Sequence, residues 1–195
     1  MKQPILDLLR LLCLGVSLLL AQGTVASDHP DIAAEARIKA AFLFKFGHYV
    51  EWPAAAFTSA SSPLVIGVMG APAIARELSK AVAGRQIQQR PLQVVNITAP
   101  RLPANLHLLY VAHAHSSGTT KAVGNPLSWQ SQLKERAVLV ITGSPDGLES
   151  GSSINFEIVD NRVRFDIALD SARAHNLKLS SRLLAVARRV QGRAQ

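Results

Sequence analysis

Two periods of apolar and polar residues divide this chain. Between Asp31 and Trp52, Ile38, Phe42, Phe46, Tyr49 and Val50 recur at three- and four-residue spacing, with Arg37, Lys39 and Lys45 mostly off the stripe. That spacing predicts one amphipathic helix, ended by Pro53. Pro63 to Gly70 (PLVIGVMG) is apolar almost throughout, the pattern of a strand covered on both faces as in a parallel sheet. Pro72 to Ala83 reads as a short helix closed by Gly84. Leu92 to Ile97, Leu106 to Ala112 and Arg136 to Thr142 are further strands, and the helical stretch after His115 is broken by Gly118, Gly124 and Pro126. Beyond the loop Gly143 to Ser152 the period falls to two. Ile154, Phe156 and Ile158, then Val163, Phe165 and Ile167, alternate with polar residues around Asp160-Asn161, a pair that tolerates positive φ. This predicts an antiparallel hairpin with one wet face. Ser180 or Ser181 then caps a final helix through Val190, with Leu183, Val186, Ala187 and Val190 inward and Arg182, Arg189 and Arg193 outward. The expected fold is a single α/β domain: a mixed, mostly parallel sheet with flanking helices and a carboxyl-terminal antiparallel hairpin.

The first residues change the picture of where such a domain works. Lys2 and Arg10 flank the start of an apolar run, Leu11 to Ala21, which is too short to span a bilayer and is followed by small residues. Ala21-Gln22-Gly23 and Thr24-Val25-Ala26 both fit a cleavage site, and cutting after Ala26 is favoured. Residues 1–26 are thus expected to be a signal peptide and 27–195 the mature domain. The one cysteine, Cys13, lies inside the leader behind Leu11-Leu12, so it does not resemble a lipoprotein acceptor. A mature chain without cysteine enters an oxidising compartment without pairing errors, and it has no thiol chemistry or disulfides. The net charge of +8 becomes +7 once two cations and one anion leave with the leader. Outside the cytoplasm such a charge points to acidic protein faces, anionic headgroups or phosphorylated small molecules rather than to nucleic acid.

Candidate chemistry is densest at Asp170-Ser171-Ala172-Arg173-Ala174-His175, followed by Arg182. Arginine offers a planar fork of donors for carboxylate or phosphate, and histidine adds a donor whose charge changes near neutral pH. The competing reading is a solvated loop in which Asp170 caps a helix. Phe42, Phe46 and Tyr49 share one face of the first helix and are expected in the core, whereas Phe44 and Trp52 are candidates for an interface with a partner or a second copy. His113 and His115 point the same way at a strand's carboxyl end, but no adjacent third ligand completes a metal site. No serine sits in a G-x-S-x-G elbow and no carboxylate pair has a hydrolytic spacing, so neither a catalytic residue nor a cofactor is expected.

Two stretches carry a family likeness: IKAAFLFKFGHYVEWP from Ile38 to Pro53, and SINFEIVDNRVRFDIALDSARAHNLKLSSRLLAVARRV from Ser153 to Val190. Both resemble the YfiR family, and the strands and turns between them fall in the order such proteins show. The resemblance implies a periplasmic, non-catalytic α/β domain that binds the periplasmic sensor segment of an inner-membrane diguanylate cyclase and restrains it, lowering cyclic di-GMP output. It also implies that Arg173, His175, Arg182 and Asp170 lie at a ligand or partner site. The paired cysteines of other family members are missing here, so redox control through disulfides is not carried over. A small anionic ligand and a homodimer are further partners compatible with the sequence. The rival readings are a periplasmic small-molecule-binding protein with its pocket at Arg173 and His175, and an enzyme on the same fold.

Overall fold

A run as apolar as LVIGVM is stable in water only if both of its faces are covered, and the computed structural model provides that cover. It describes residues 29–112 and 126–192. The chain divides into two units, Met1–Ile32 and Ala33–Gln195, and the fold is that of the second. The expected leader lies outside the described residues, as do His113 and His115.

In chain order the elements are α1 (His29–His48), β1 (Val50–Glu51), β2 (Leu64–Met69), α2 (Pro72–Val82), β3 (Gln86–Ile87), β4 (Arg90–Ile97) and β5 (Leu108–Ala112). There follow α3 (Pro126–Leu133), β6 (Leu139–Gly143), β7 (Ile154–Val159), β8 (Arg162–Ala168), α4 (Leu169–Ala174), β9 (Lys178–Leu179), α5 (Ser181–Val186) and β10 (Arg189–Gln191). Among the described residues eight strands form one sheet in the order β10-β8-β7-β6-β5-β2-β4-β3. From β4 to β7 neighbouring strands are parallel, whereas β7–β8 and β3–β4 are antiparallel hairpins. This is the expected mixed, mostly parallel α/β architecture.

β2 is buried at every position. Leu64, Ile66 and Val68 meet Leu43 and Phe46 of α1 and Leu78 of α2, while Val65 and Met69 meet Trp129 and Leu133 of α3 on the other side. A Cβ on Gly67 would lie 2.6 Å from Ile97 Cδ1 and 2.8 Å from Leu106 Cδ2, so the second layer closes onto bare backbone there. The turn Asp160-Asn161 has φ of 49° and 56°, the double left-handed geometry that matches the twist of a two-residue hairpin.

The structure corrects the sequence reading at several points. The first helix ends at His48, not Trp52. Val50–Glu51 instead pairs with Lys178–Leu179, and Pro53 disfavours helical backbone at the residue before it. The buried face of α1 is Ala36, Ala40, Leu43 and Phe46, while Ile38 is 45% exposed. Pro126 starts α3 rather than breaking it. The last helix stops at Val186, itself 68% exposed, and Arg189–Gln191 becomes a strand beside β8. The wet face of the hairpin is partly dry, since Asn155 and Asp166 are buried.

Buried Asp166 explains the carboxyl-terminal departure. A carboxylate removed from water needs a cation and hydrogen bonds. Arg188 supplies a fork, with Nε donating to Oδ1 at 2.7 Å and Nη2 to Oδ2. Arg189 Nη2 lies 3.2 Å from Oδ2, and the Arg188 amide donates to the Phe165 carbonyl. Continuing the helix would forfeit these contacts.

Candidate functional site

The segment from Asp170 to Arg182 is built by two short helices joined through a strand. Asp170 stands in the first turn of α4 and Arg173 in its last, the placement that suits the helix dipole. Arg173 Nη1 reaches Asp170 Oδ1 at 3.2 Å on the surface. Asn176 adopts φ of 54° and the Leu177 amide returns to the Ala172 carbonyl, which folds the helix end back. Lys178–Leu179 then pairs with β1, and the Ser180 hydroxyl accepts from the Arg182 amide to start α5.

This arrangement separates residues that the sequence grouped. A cleft of about 560 Å³ lies over Leu169, Ala172 and Leu184, and Arg173, Asn176 and Lys178 also line it. Arg173 is therefore at a concave surface with an apolar floor, joined by Lys178, a cation the sequence reading did not single out. His175 is not among the residues lining this cleft. Its Nδ1 donates to the Arg136 carbonyl at 2.8 Å, because a carbonyl oxygen only accepts. Arg182 is exposed on α5, and Asp170 is exposed in α4. The cleft can hold an anion between Arg173 and Lys178 while burying an apolar portion against the leucines.

The aromatic candidates also part company. Trp52 is buried, its Nε1 donating to the His107 carbonyl at 3.0 Å, so it belongs to the core of its own chain rather than to an exposed interface. Phe44 is half-buried, edge-on to His48 at 5.0 Å between ring centres, with the Arg85 guanidinium 5.2 Å above its face. Phe42 and Phe46 pack on Phe156 and Phe165, in keeping with their expected place in the core. His107, unremarked in the sequence, is buried: Nδ1 accepts from the Val65 amide at 3.1 Å and Nε2 donates to the Ala56 carbonyl at 3.1 Å. That pair of contacts requires the neutral ring. Burial lowers its pKa, against the Ala56 hydrogen bond, and Arg90 and Arg136 push the same way as burial.

Among the described residues, no three His, Cys, Asp or Glu side chains gather as metal ligands. Arg136 spends its guanidinium on the carbonyls of Gln132, Pro103 and Ala104, and the Thr142 hydroxyl bonds both Ser152 and Asn155. These groups hold loops to the sheet, and the geometry defines an α/β domain with a cleft lined by Arg173 and Lys178. The chain belongs to the YfiR/HmsC-like family, whose model matches residues 36–188. At the family level this is a group of periplasmic regulators of cyclic di-GMP signalling. No match to a curated protein adds to this. No described helix is long and apolar enough to cross a membrane.

Proposed function

We propose that this chain is an exported, non-catalytic repressor that binds the periplasmic sensor segment of an inner-membrane diguanylate cyclase and holds it inactive. The observation that carries this reading is the family match over residues 36–188. Repression by binding requires differential affinity, about 5.5 kcal/mol to move a partner from almost wholly active to almost wholly inactive. A standard protein interface of about 800 Å² per partner supplies energies on that scale. The contact surface is the exposed corner of Asp170, Arg173 and Arg182, with Phe44 on a second face and His175 braced behind the corner by Arg136. Deleting the gene raises cellular cyclic di-GMP, and deleting it has no effect in a strain already lacking the partner cyclase. Unchanged cyclic di-GMP in the single deletion overturns the reading.

The cleft at Arg173 and Lys178 favours a second reading, a small anionic ligand with an apolar part. In that case Arg173→Glu abolishes ligand binding, and the gene's deletion alters uptake or sensing of the ligand without a cyclase.

A further inference from the structure

The sheet has an edge that the described residues leave open. β3 covers only the start of β4, through Gln86↔Pro91 and Ile87↔Arg90. Gln88 and Gln89, at φ of 51° and 63°, form the two-residue turn that makes Ile87 and Arg90 the hydrogen-bonded pair. Because successive residues of a strand turn their amides to opposite sides, Leu92, Val94 and Asn96 direct theirs to the outer side, while β2 lies on the inner side. Among the described residues no backbone group meets that outer row. Native edges of this length are usually blunted by a charge, a proline or a bulge. LQVVNI, from Leu92 to Ile97, has no charge and no proline.

Beside the open edge runs a groove between β4 and α2. Two adjoining clefts of about 430 and 540 Å³ share Ser79 and Val94 as lining. They occupy the lane into which the side chains of an added strand would project. Arg85 lines one cleft, and Arg76 and Lys80 line the other. The single carboxylate of α2 is Glu77, with Lys80 at 2.8 Å and Arg37 at 4.0 Å, so the groove keeps an excess of positive charge.

We propose that the free edge of β4 accepts an extended acidic segment of a partner protein as an added strand. Main-chain bonds from Leu92, Val94 and Asn96 supply affinity, and acidic side chains on alternate positions of the guest meet Arg76, Lys80 and Arg85. Six residues give the guest a track of about 20 Å. Charge decides against a second copy as the occupant, since two-fold pairing would bring the same cations of both chains together. The inference is independent of whether the partner is a cyclase.

The test uses the purified protein with a capped eight-residue peptide of alternating valine and glutamate, and a valine–lysine peptide as counter-probe. The acidic peptide binds in calorimetry and slows amide exchange at Leu92, Val94 and Asn96, whereas the basic peptide does neither. Asn96→Pro deletes one outward donor and no bond to β2, and it weakens the acidic peptide about tenfold. Arg76→Glu with Lys80→Glu loses the acidic peptide and gains the basic one, which decides the matter if the proline variant misfolds. Unchanged affinity in both variants, or binding without protection of those amides, overturns the proposal. So does a wild-type dimer in sedimentation that Asn96→Pro renders monomeric, because the occupant is then a second copy. Binding to anionic vesicles alone, unaffected by the proline, would equally overturn it.

Discussion

β2 and β8 lie in one sheet and are held there by different physics. Every residue of β2 is covered by apolar side chains from two layers, a non-directional attraction that tolerates any neighbour of the right volume. β8 and its partner β7 instead bury Asp166 and Asn155. Asn155 Oδ1 accepts from Thr142 Oγ1 at 2.8 Å and from the Ser144 amide at 3.2 Å, while Nδ2 donates to Glu157 at 2.9 Å. Such groups stabilise the fold only as a complete set. A Cβ on Gly147 would sit 2.1 Å from Thr142 Oγ1 and 2.2 Å from Asn155 Oδ1, so this network excludes any side chain from the loop that wraps it. The apolar half fixes where the layers lie, and the polar half fixes how the chain's last segments attach.

The largest effect is expected where the two halves meet, since the inner faces of β2, β7 and β8 share one apolar core under α1. Phe46→Ala, which removes a ring stacked on Phe156 and edge-on to Phe165, costs about 3 to 5 kcal/mol in urea unfolding. A loss below about 1 kcal/mol would show that α1 repacks freely. In the polar half the asymmetry between partners is the sharper probe. Arg188→Ala with Arg189→Ala strands a buried carboxylate and lowers the urea midpoint, whereas Asp166→Asn frees cations already reaching solvent and lowers it less. Equal shifts would contradict the assignment of Asp166 as the buried member.

Acid sharpens the comparison further, through a polar contact set inside the apolar half. His107 is held neutral with a lowered pKa, so below the ordinary value of about 6.5 the unfolded chain binds a proton that the folded chain refuses. Stability is complete above that pH and falls as the pH drops toward the folded value, by at most about 1.4 kcal/mol per unit. His107→Gln flattens this dependence in unfolding midpoints between pH 7.5 and 5, and an unchanged slope would assign it to another group. A smaller effect is expected at Phe44. Its ring is already half-wet, and Phe44→Ala costs about 1 kcal/mol while weakening partner binding.

The same division explains what the sequence disclosed. Strands covered on both faces, the Asp160-Asn161 turn and the Pro72 helix start follow from local pattern, and all appear in the structure. Apolar spacing misled where long-range polar bonds overrode it. Val186 and Val190 keep helical spacing, yet Asp166 draws Arg188 and Arg189 to the sheet. Tyr49-Val50 continues the period of α1, yet the Ser180 amide bonds the Tyr49 carbonyl and β9 pairs with Val50. At the candidate site Arg173 was legible because arginine, aspartate and histidine cluster within six residues. Lys178 was not, since only the fold back at Asn176 brings it to the cleft.

The central claim is restraint through binding, and one titration tests it most directly. The purified protein is titrated calorimetrically with the purified periplasmic segment of an inner-membrane diguanylate cyclase from the same cell, chosen as the one whose deletion cancels the effect of losing this protein. Saturable binding is expected, weakened about tenfold or more by Arg173→Glu, whose exposed charge reversal leaves thermal unfolding within about 0.5 kcal/mol of the parent. No heat and no complex at any ratio would contradict the account.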